Sequence, residues 1–534
     1  MHESVMTIRE NIGDATKANF KFHTISEDVI RKEITRLGSN KAAGYDLMTP
    51  RILKASSAII SGPIANLVNK SITTGIFPND LKFAELSPIF KKDDAMSRGN
   101  FRPVSILPCI SKIFESIYSK QLSEYFDDLL SVLLSAFRKG YSCETVLTRL
   151  IEDWKSLLDK HKIIGAMMLD LSKAFDCISH RLLIAKLKAY GVDDTVCNLI
   201  KSYLSNRLQR VKIGQSRSSW LHILKGVPQG SIIGPLLFNI FTNDILYLLE
   251  NMYNYADDNT ISCFGETVQE VKCKVEKSTS VAMQWFKDNH MQANAHKFQA
   301  MLMGLKEPSD IHFEVGECAI HPSDSVKLLG VDIDNKLNFN EHISNLCNKA
   351  ARQLHAFKRF AKFLDIKTKA VVFNSFILSN FNYCSLVWHH CGTENTHKIE
   401  KVQERGLRII YNDHDSTYAE LLAKSNRQLL YISRIKKVAL HVYRSTNKHG
   451  PPLLWDMYTP NDTGYNLRHG QRLVQPKVNT TKYGLNSLRY DGASIWNSLP
   501  SDIKSAVDAN HFKTILKSWS GPSCRCGFCI LCKF

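Results

Sequence analysis

Ile163-Ile164-Gly165-Ala166-Met167-Met168-Leu169-Asp170-Leu171 is a brief apolar run that meets a single carboxylate near its end. A run of this length predicts a buried strand whose end opens on a site. Further along, Asn254 to Thr260 is a turn flanked by Met252, Tyr253 and Ile261, which predicts a hairpin with Asp257 and Asp258 in its turn. Such a hairpin can bring three carboxylates to one sheet edge. Mg²⁺ takes oxygen ligands, commonly one or two protein carboxylates completed by substrate phosphates and water. In a two-metal site one ion lowers the pKa of an attacking hydroxyl and the other stabilises the leaving phosphate oxygen. Taken singly, an Asp-Asp pair is an ordinary solvated turn and an Asp after a strand is often a helix cap.

Outward from these stretches the pattern alternates between strand and helix periods. Residues 1–40 are polar and helix-like in composition, ending in the turn-rich Gly38-Ser39-Asn40-Lys41-Ala42-Ala43-Gly44. From Leu53 to Ile76, three- and four-residue apolar spacing predicts two helices split at Ser61-Gly62-Pro63. Strands are predicted at Phe83–Phe90, Gln209–Ile213, about Leu221–Leu224, at Met301 and within Val326–Ile333. Helices are predicted from about His180 to Tyr190, as one long element from Pro235 towards Leu249, and near Val268 to Phe286. Beyond Glu341 the texture turns helical. Between Lys349 and Lys369 seven Lys or Arg face one acid, Asp365, and Leu354, Phe357, Phe360 and Leu364 form an apolar stripe. That segment reads equally as a solvated amphipathic helix or one that grips a nucleic-acid backbone.

A chain of 534 residues is long enough for several compact units. Its hydrophobic and charged content is that of a globular protein, far from the composition of disordered chains. The net charge of +18 favours polyanions or acidic membrane surfaces over small neutral substrates. No uninterrupted apolar run reaches the roughly 18 residues of a membrane span, and the first residues have no apolar signal core. Scattered cysteines suit reduced thiols in a cytoplasmic or nuclear setting.

Read together, Asp170-Leu171-Ser172-Lys173-Ala174-Phe175-Asp176, Gly226-Val227-Pro228-Gln229-Gly230-Ser231-Ile232-Ile233-Gly234-Pro235-Leu236-Leu237-Phe238 and Tyr255-Ala256-Asp257-Asp258 resemble the reverse transcriptases of non-LTR (LINE-type) retrotransposons, closest to jockey-like elements. Lys41–Asp46, Pro88-Ile89-Phe90-Lys91-Lys92, Asn100-Phe101-Arg102-Pro103-Val104-Ser105 and Phe137-Arg138-Lys139-Gly140 are similar to blocks of the family's fingers. Trp285, Asn294-Ala295-His296-Lys297 and Leu328-Leu329-Gly330-Val331 are similar to its palm-closing motifs. The resemblance implies an α+β right-hand polymerase with fingers, a palm with an antiparallel sheet and a helical thumb, followed by a mostly helical C-terminal region. The implied division is a linker-like 1–37, fingers and palm over 38–340, thumb and connection over 341–445, and a C-terminal region with a Cys-rich tail over 446–534.

The resemblance also implies roles. Asp170, Asp257 and Asp258 would hold two Mg²⁺ ions, or Mn²⁺, with the Leu171 carbonyl as a further ligand. Phe175 would be a steric gate, its ring colliding with a 2′-OH and so favouring deoxynucleotides; the alternative is a core Phe. Lys91 and Arg102 would hold the incoming triphosphate, with Lys92 able to stand in for Lys91. Gln229 would contact nucleotide or template, and Gly230 would let the backbone approach closely. Lys297 would donate a proton to the departing pyrophosphate or else be a helix-end lysine. The partners implied are an RNA template, a DNA primer and dNTPs, with no membrane.

The sequence departs from the family pattern at Gly44-Tyr45-Asp46-Leu47, where Gly-Pro-Asp-Gly is usual, and at Ala293, where Leu is usual. Only about forty residues precede the first motif, so the sequence reads as a truncated product without the family's N-terminal endonuclease. Cys524, Cys526, Cys529 and Cys532 could bind Zn²⁺ or remain free thiols. The competing reading is a catalytically silent nucleic-acid-binding remnant. An RNA-dependent RNA polymerase is disfavoured by Phe175 at the sugar position.

Overall fold

The computed structural model describes residues 2–13, 19–91, 94–305, 310–461 and 472–521. It is a mixed α/β protein with antiparallel sheets and many helices, and it divides into two compact units. Unit 1 comprises 1–137, 169–259 and 278–297; unit 2 comprises 138–168, 260–277 and 298–534. In chain order the strands that matter to the site are β1 (Phe83–Phe90), β2 (Phe101–Ile106), β3 (Ile163–Ser172), β4 (Arg207–Ile213), β5 (Ser216–Arg217), β6 (Leu221–Ile223), β7 (Met252–Tyr255), β8 (Asp258–Gly265), β9 (Gln292–Ala293) and β10 (Gln299–Met303).

In unit 1, β1 pairs antiparallel with β2, placing Ile89 opposite Arg102, and pairs parallel with β4, placing Leu86 opposite Val211. β5 and β6 both add to β4. On this sheet Glu85 is almost fully buried and accepts hydrogen bonds from Arg210 (2.6 Å), Lys212 (3.0 Å) and Arg217 (3.1 Å). Those three cations hold its carboxyl down at about 2 against the opposing effect of burial. A second sheet has the order β10-β3-β8-β7, with β9 also on β3, and β3 and β8 each run through both units. β10 pairs with residues 164–168 of β3, while β9 pairs with Leu171 and Ser172.

Several elements differ from the sequence expectation for physical reasons. The break near residue 60 falls at Ser56, between the helices Pro50–Ala55 and Ser57–Thr74, and Pro63 lies inside the second. Burial of Ile64, Ala65, Val68 and Ile72 on one face carries that helix past the proline. The expected long helix after Pro235 is two pieces, Gly234–Thr242 and Ile245–Leu248. At the break, buried Asn243 accepts from Ser131 N and donates to Leu129 O, and buried Asp244 pairs with Lys186 at 2.6 Å. Trp285 Nε1 donates to the other Asp244 oxygen at 2.7 Å. The N-terminal stretch, helix-like in composition, carries the helices Glu3–Ile12 and Glu27–Arg36, which bury Val5, Ile8, Ile30 and Ile34.

In unit 2 the basic stretch is also two helices, Asn340–Ala361 and Ile366–Val372. Asp365, the single acid of the segment, is the second helix's N-cap, accepting from Thr368 N at 2.9 Å. The C-terminal core is built from Leu430–Thr446, Leu488–Ser498 and Ala509–Ile515, where Val438, Val442, Trp496 and Phe512 pack together. No helix among the described residues is long and apolar enough to cross a membrane.

Candidate active site

Each carboxylate is positioned by a different piece of local chemistry. Asp170 rides on β3 one residue before the β9 ladder, and its carbonyl accepts from Asn294 N at 3.3 Å. Leu171, paired with Ala293, buries its side chain. Asp257 and Asp258 leave the β7–β8 turn, which closes through Ala256 in the left-handed region (φ 58°). Two asparagines brace that turn, each about 2 % exposed. Asn254 Nδ2 donates to Ala256 O (3.1 Å) and Asn259 Oδ1 (2.6 Å), and Asn259 Nδ2 donates to Asp257 O (3.2 Å). The backbone of Asn254 is itself pinned, its N–H to Leu133 O and its carbonyl to Ser135 N. These supports do not stand out in the sequence, because an Asn beside a turn is commonplace.

The three carboxylates feel one another. Asp258 keeps an exposed edge, yet its carboxyl is pushed up to about 6, first by burial of the group and then by the charges of Asp257 and Asp170. Lys91 acts in the opposite direction on Asp258. Lys297, at the end of a short 3₁₀ turn, places Nζ 3.7 Å from Asp170 Oδ2, both side chains partly exposed. Negative charge only partly offset by Lys91 and Lys297 is what a divalent cation neutralises, so the oxygen donors of Asp170, Asp257 and Asp258 fit hard-cation chemistry.

The remaining expected residues also lie in unit 1. Lys91 follows β1 and donates its backbone N–H to Asn100 O (2.8 Å); Arg102 is exposed on β2 across the same ladder. Lys92 lies outside the described residues, as do Cys524, Cys526, Cys529 and Cys532. Phe175 is half-buried, stacked on Phe238 with ring centroids 4.6 Å apart and 8° between planes, and met edge-on by Phe137 at 5.8 Å. Such clamping on two sides fixes the ring's direction.

Gln229 donates to Asp176 Oδ1 at 3.1 Å, and its carbonyl accepts from Ser105 N at 2.7 Å. Gly230 (φ 111°) permits close approach, but to the chain's own backbone: a Cβ there would lie 2.8 Å from Ser105 O. Gly226 (φ 83°) does the same against the segment after β3, where a Cβ would stand 2.7 Å from Asp176 Cα. Beneath the 226–234 segment, fully buried Glu115 accepts from Ile232 N at 2.6 Å and from Ser111 Oγ at 3.1 Å. Burial pushes its carboxyl up, against the nearby Arg207 charge. Sequence reading passes over Glu115, since a lone acid in an amphipathic helix looks like a solvated one.

Residues 89–333 match the family model described as reverse transcriptase (RNA-dependent DNA polymerase), a span that contains every one of these side chains. The chain is 23 % identical over 421 residues to a probable RNA-directed DNA polymerase from transposon X-element of Drosophila melanogaster, covering 76 % of this chain and 46 % of that protein. It is 24 % identical over 420 residues to the RNA-directed DNA polymerase from mobile element jockey of the same species, with the same two coverages. A third match is to a Pol polyprotein from the type-1 retrotransposable element R2 of Popillia japonica, 27 % identical over 35 % of this chain and 26 % of that one. The chain thus spans about half the length of the curated jockey and X-element relatives it matches. Residues 89–333 are thus similar to reverse transcriptases, and the wider chain is similar to the polymerases of non-LTR retrotransposons.

Proposed function

We propose that this chain is an RNA-directed DNA polymerase that extends a primer 3′-OH with deoxynucleotides on an RNA template. The observation that carries the reading is the raised carboxyl of Asp258, pushed up by burial and then by the charges of Asp257 and Asp170. Those residues would hold Mg²⁺, with the Leu171 carbonyl as an additional oxygen; the ions would supply hydroxyl activation and stabilisation of the leaving oxygen. The Asn254–Asn259 bracket holds the two turn carboxylates in place before substrate arrives. Arg102, on the β1–β2 ladder, and Lys91, just after β1, bind the triphosphate, and Lys297 gives a proton to the departing pyrophosphate. Phe175, locked by Phe238 and Phe137, presents an aromatic edge to the sugar and excludes a 2′-OH.

In this reading the β1–β2–β4 sheet belongs to the fingers, the β3–β8 sheet to the palm and the 340–372 helices to the thumb. Primer extension on a polyribonucleotide template with Mg²⁺ tests it. DNA product is expected from the parent chain and none from Asp257→Asn, with RNA binding largely kept because the basic surface is untouched. Full extension by Asp257→Asn would remove Asp257 from the site.

A further inference from the structure

Within unit 2, two histidines and an aspartate converge. His389 Nε2 lies 3.4 Å and His390 Nε2 3.1 Å from the same atom, Asp491 Oδ2. One donor atom from each of the three residues falls within 4.8 Å of the others. Consecutive side chains diverge in a helix or strand, and here they converge only because 382–390 is a run of turn, bringing the two rings edge to face at 4.8 Å. We propose that His389, His390 and Asp491 form a Zn²⁺ site, three protein ligands with a fourth position open to solvent.

The spacing suits it: tetrahedral Zn²⁺ with bonds of about 2.0–2.1 Å has ligand–ligand edges of about 3.3–3.4 Å. His389 is 4 % exposed, whereas the side chains of His390 and Asp491 keep 12 % and 14 %, which leaves an edge for entry.

Charges around the cluster choose the metal. Lys155 Nζ sits 3.5 Å from His390 Nδ1, but it is anchored by Asn486 O (2.7 Å) and balanced by Glu152 (3.5 Å). Once Nε2 ligates, Nδ1 must carry the ring proton, so uptake of the ion requires Lys155 to turn away or lose a proton. Arg434, over the Trp388 and Tyr431 rings, adds a second cation that acts on His389. Hard, weakly held cations are therefore disfavoured, and a metal that seeks imidazole is preferred. The site is independent of the polymerase reading.

The test uses the full chain carrying Cys524→Ser, Cys526→Ser, Cys529→Ser and Cys532→Ser, so that the tail contributes no thiolates. After chelator dialysis, Zn²⁺ added and gel-filtered away should leave one ion per chain. Co²⁺ in its place should give the visible bands of tetrahedral nitrogen and oxygen ligation, without a thiolate charge-transfer band. Asp491→Asn and His390→Gln, checked for folding by circular dichroism, should weaken Zn²⁺ by more than the about 10–100-fold that loss of an outer hydrogen-bonding partner costs. Zn²⁺ should also raise the melting temperature of the parent variant, and EDTA should reverse it. Absence of stoichiometric Zn²⁺, absence of the Co²⁺ bands, or full retention of Zn²⁺ by folded Asp491→Asn would each overturn the site and leave the cluster as a hydrogen-bonded pin. If neither site variant folds, the count and the Co²⁺ spectrum decide alone.

Discussion

Asp258 and Phe175 show how much of a residue's role depends on neighbours that are remote in sequence. The Asp258 carboxyl is pushed up to about 6, first by burial and then by the charges of Asp257 and Asp170. A carboxyl with a raised pKa is ionised only above that value, so protons compete with the cation as pH falls through 6. Apparent Mg²⁺ affinity, read from extension rates titrated between pH 5 and 8, should be nearly flat above about 6.5 and fall by up to about tenfold per unit below 6. A profile with no bend near 6 would mean that Asp258 does not hold the ion. Phe175 carries a separate prediction. Phe175→Ala should keep deoxynucleotide incorporation measurable and raise ribonucleotide incorporation, because only the clash with the 2′-OH is removed. An unchanged ratio in a folded variant would make Phe175 a packing partner of Phe238 and nothing more.

Among elements, the 226–234 segment illustrates support from beneath. Its outward face presents Gln229 towards Asp176, while its underside is tied by Ile232 N to Glu115 and by Gln229 O to Ser105 N. Replacing Glu115 by Gln halves the acceptors offered to Ser111 and Ile232 in a fully buried position. Urea unfolding should show a loss of about 1–3 kcal/mol. Single-turnover extension should slow several-fold with little change in primer-template affinity, since the segment loosens but no cation is removed. A variant as stable as the parent, with unchanged extension, would show that Glu115 does not hold the segment. Strand and hairpin positions of this site are legible in the sequence because a buried strand must be apolar and a turn must break that pattern: β1, β3 and β4 fall close to their expected places. Helix breaks are not legible. Pro63 reads as a stop and Asn243-Asp244 as ordinary helix, yet burial overrides the first and buried hydrogen bonds decide the second.

For the molecule as a whole the decisive property is its excess of positive charge, part of it on the exposed Lys358, Arg359 and Lys362 of unit 2. Leu354 and Phe357 bury the opposite stripe of the same helix, while Phe360 and Phe363 remain exposed beside the cations. Neutralising Lys358, Arg359 and Lys362 together should weaken primer-template binding about equally for unrelated sequences. The plot of log affinity against log salt should flatten by roughly 0.7–0.9 for each phosphate that is no longer neutralised. An unchanged slope would assign the face to solvent or to another partner.

By itself the sequence determined the resemblance, the residue types of the candidate site and the places of β1, β3 and β4 along the chain, because oxygen-donor carboxylates, close-approach glycines and buried strands each demand particular residue types at particular places. Only the tertiary structure decided that the Asp258 carboxyl is pushed up, that Asn254 and Asn259 brace its turn, that Glu115 ties the 226–234 segment, that Gly230 makes room for Ser105, and that His389, His390 and Asp491 meet. Those facts depend on distances between residues far apart in the chain, and a buried polar side chain takes its role from the partner it finds there.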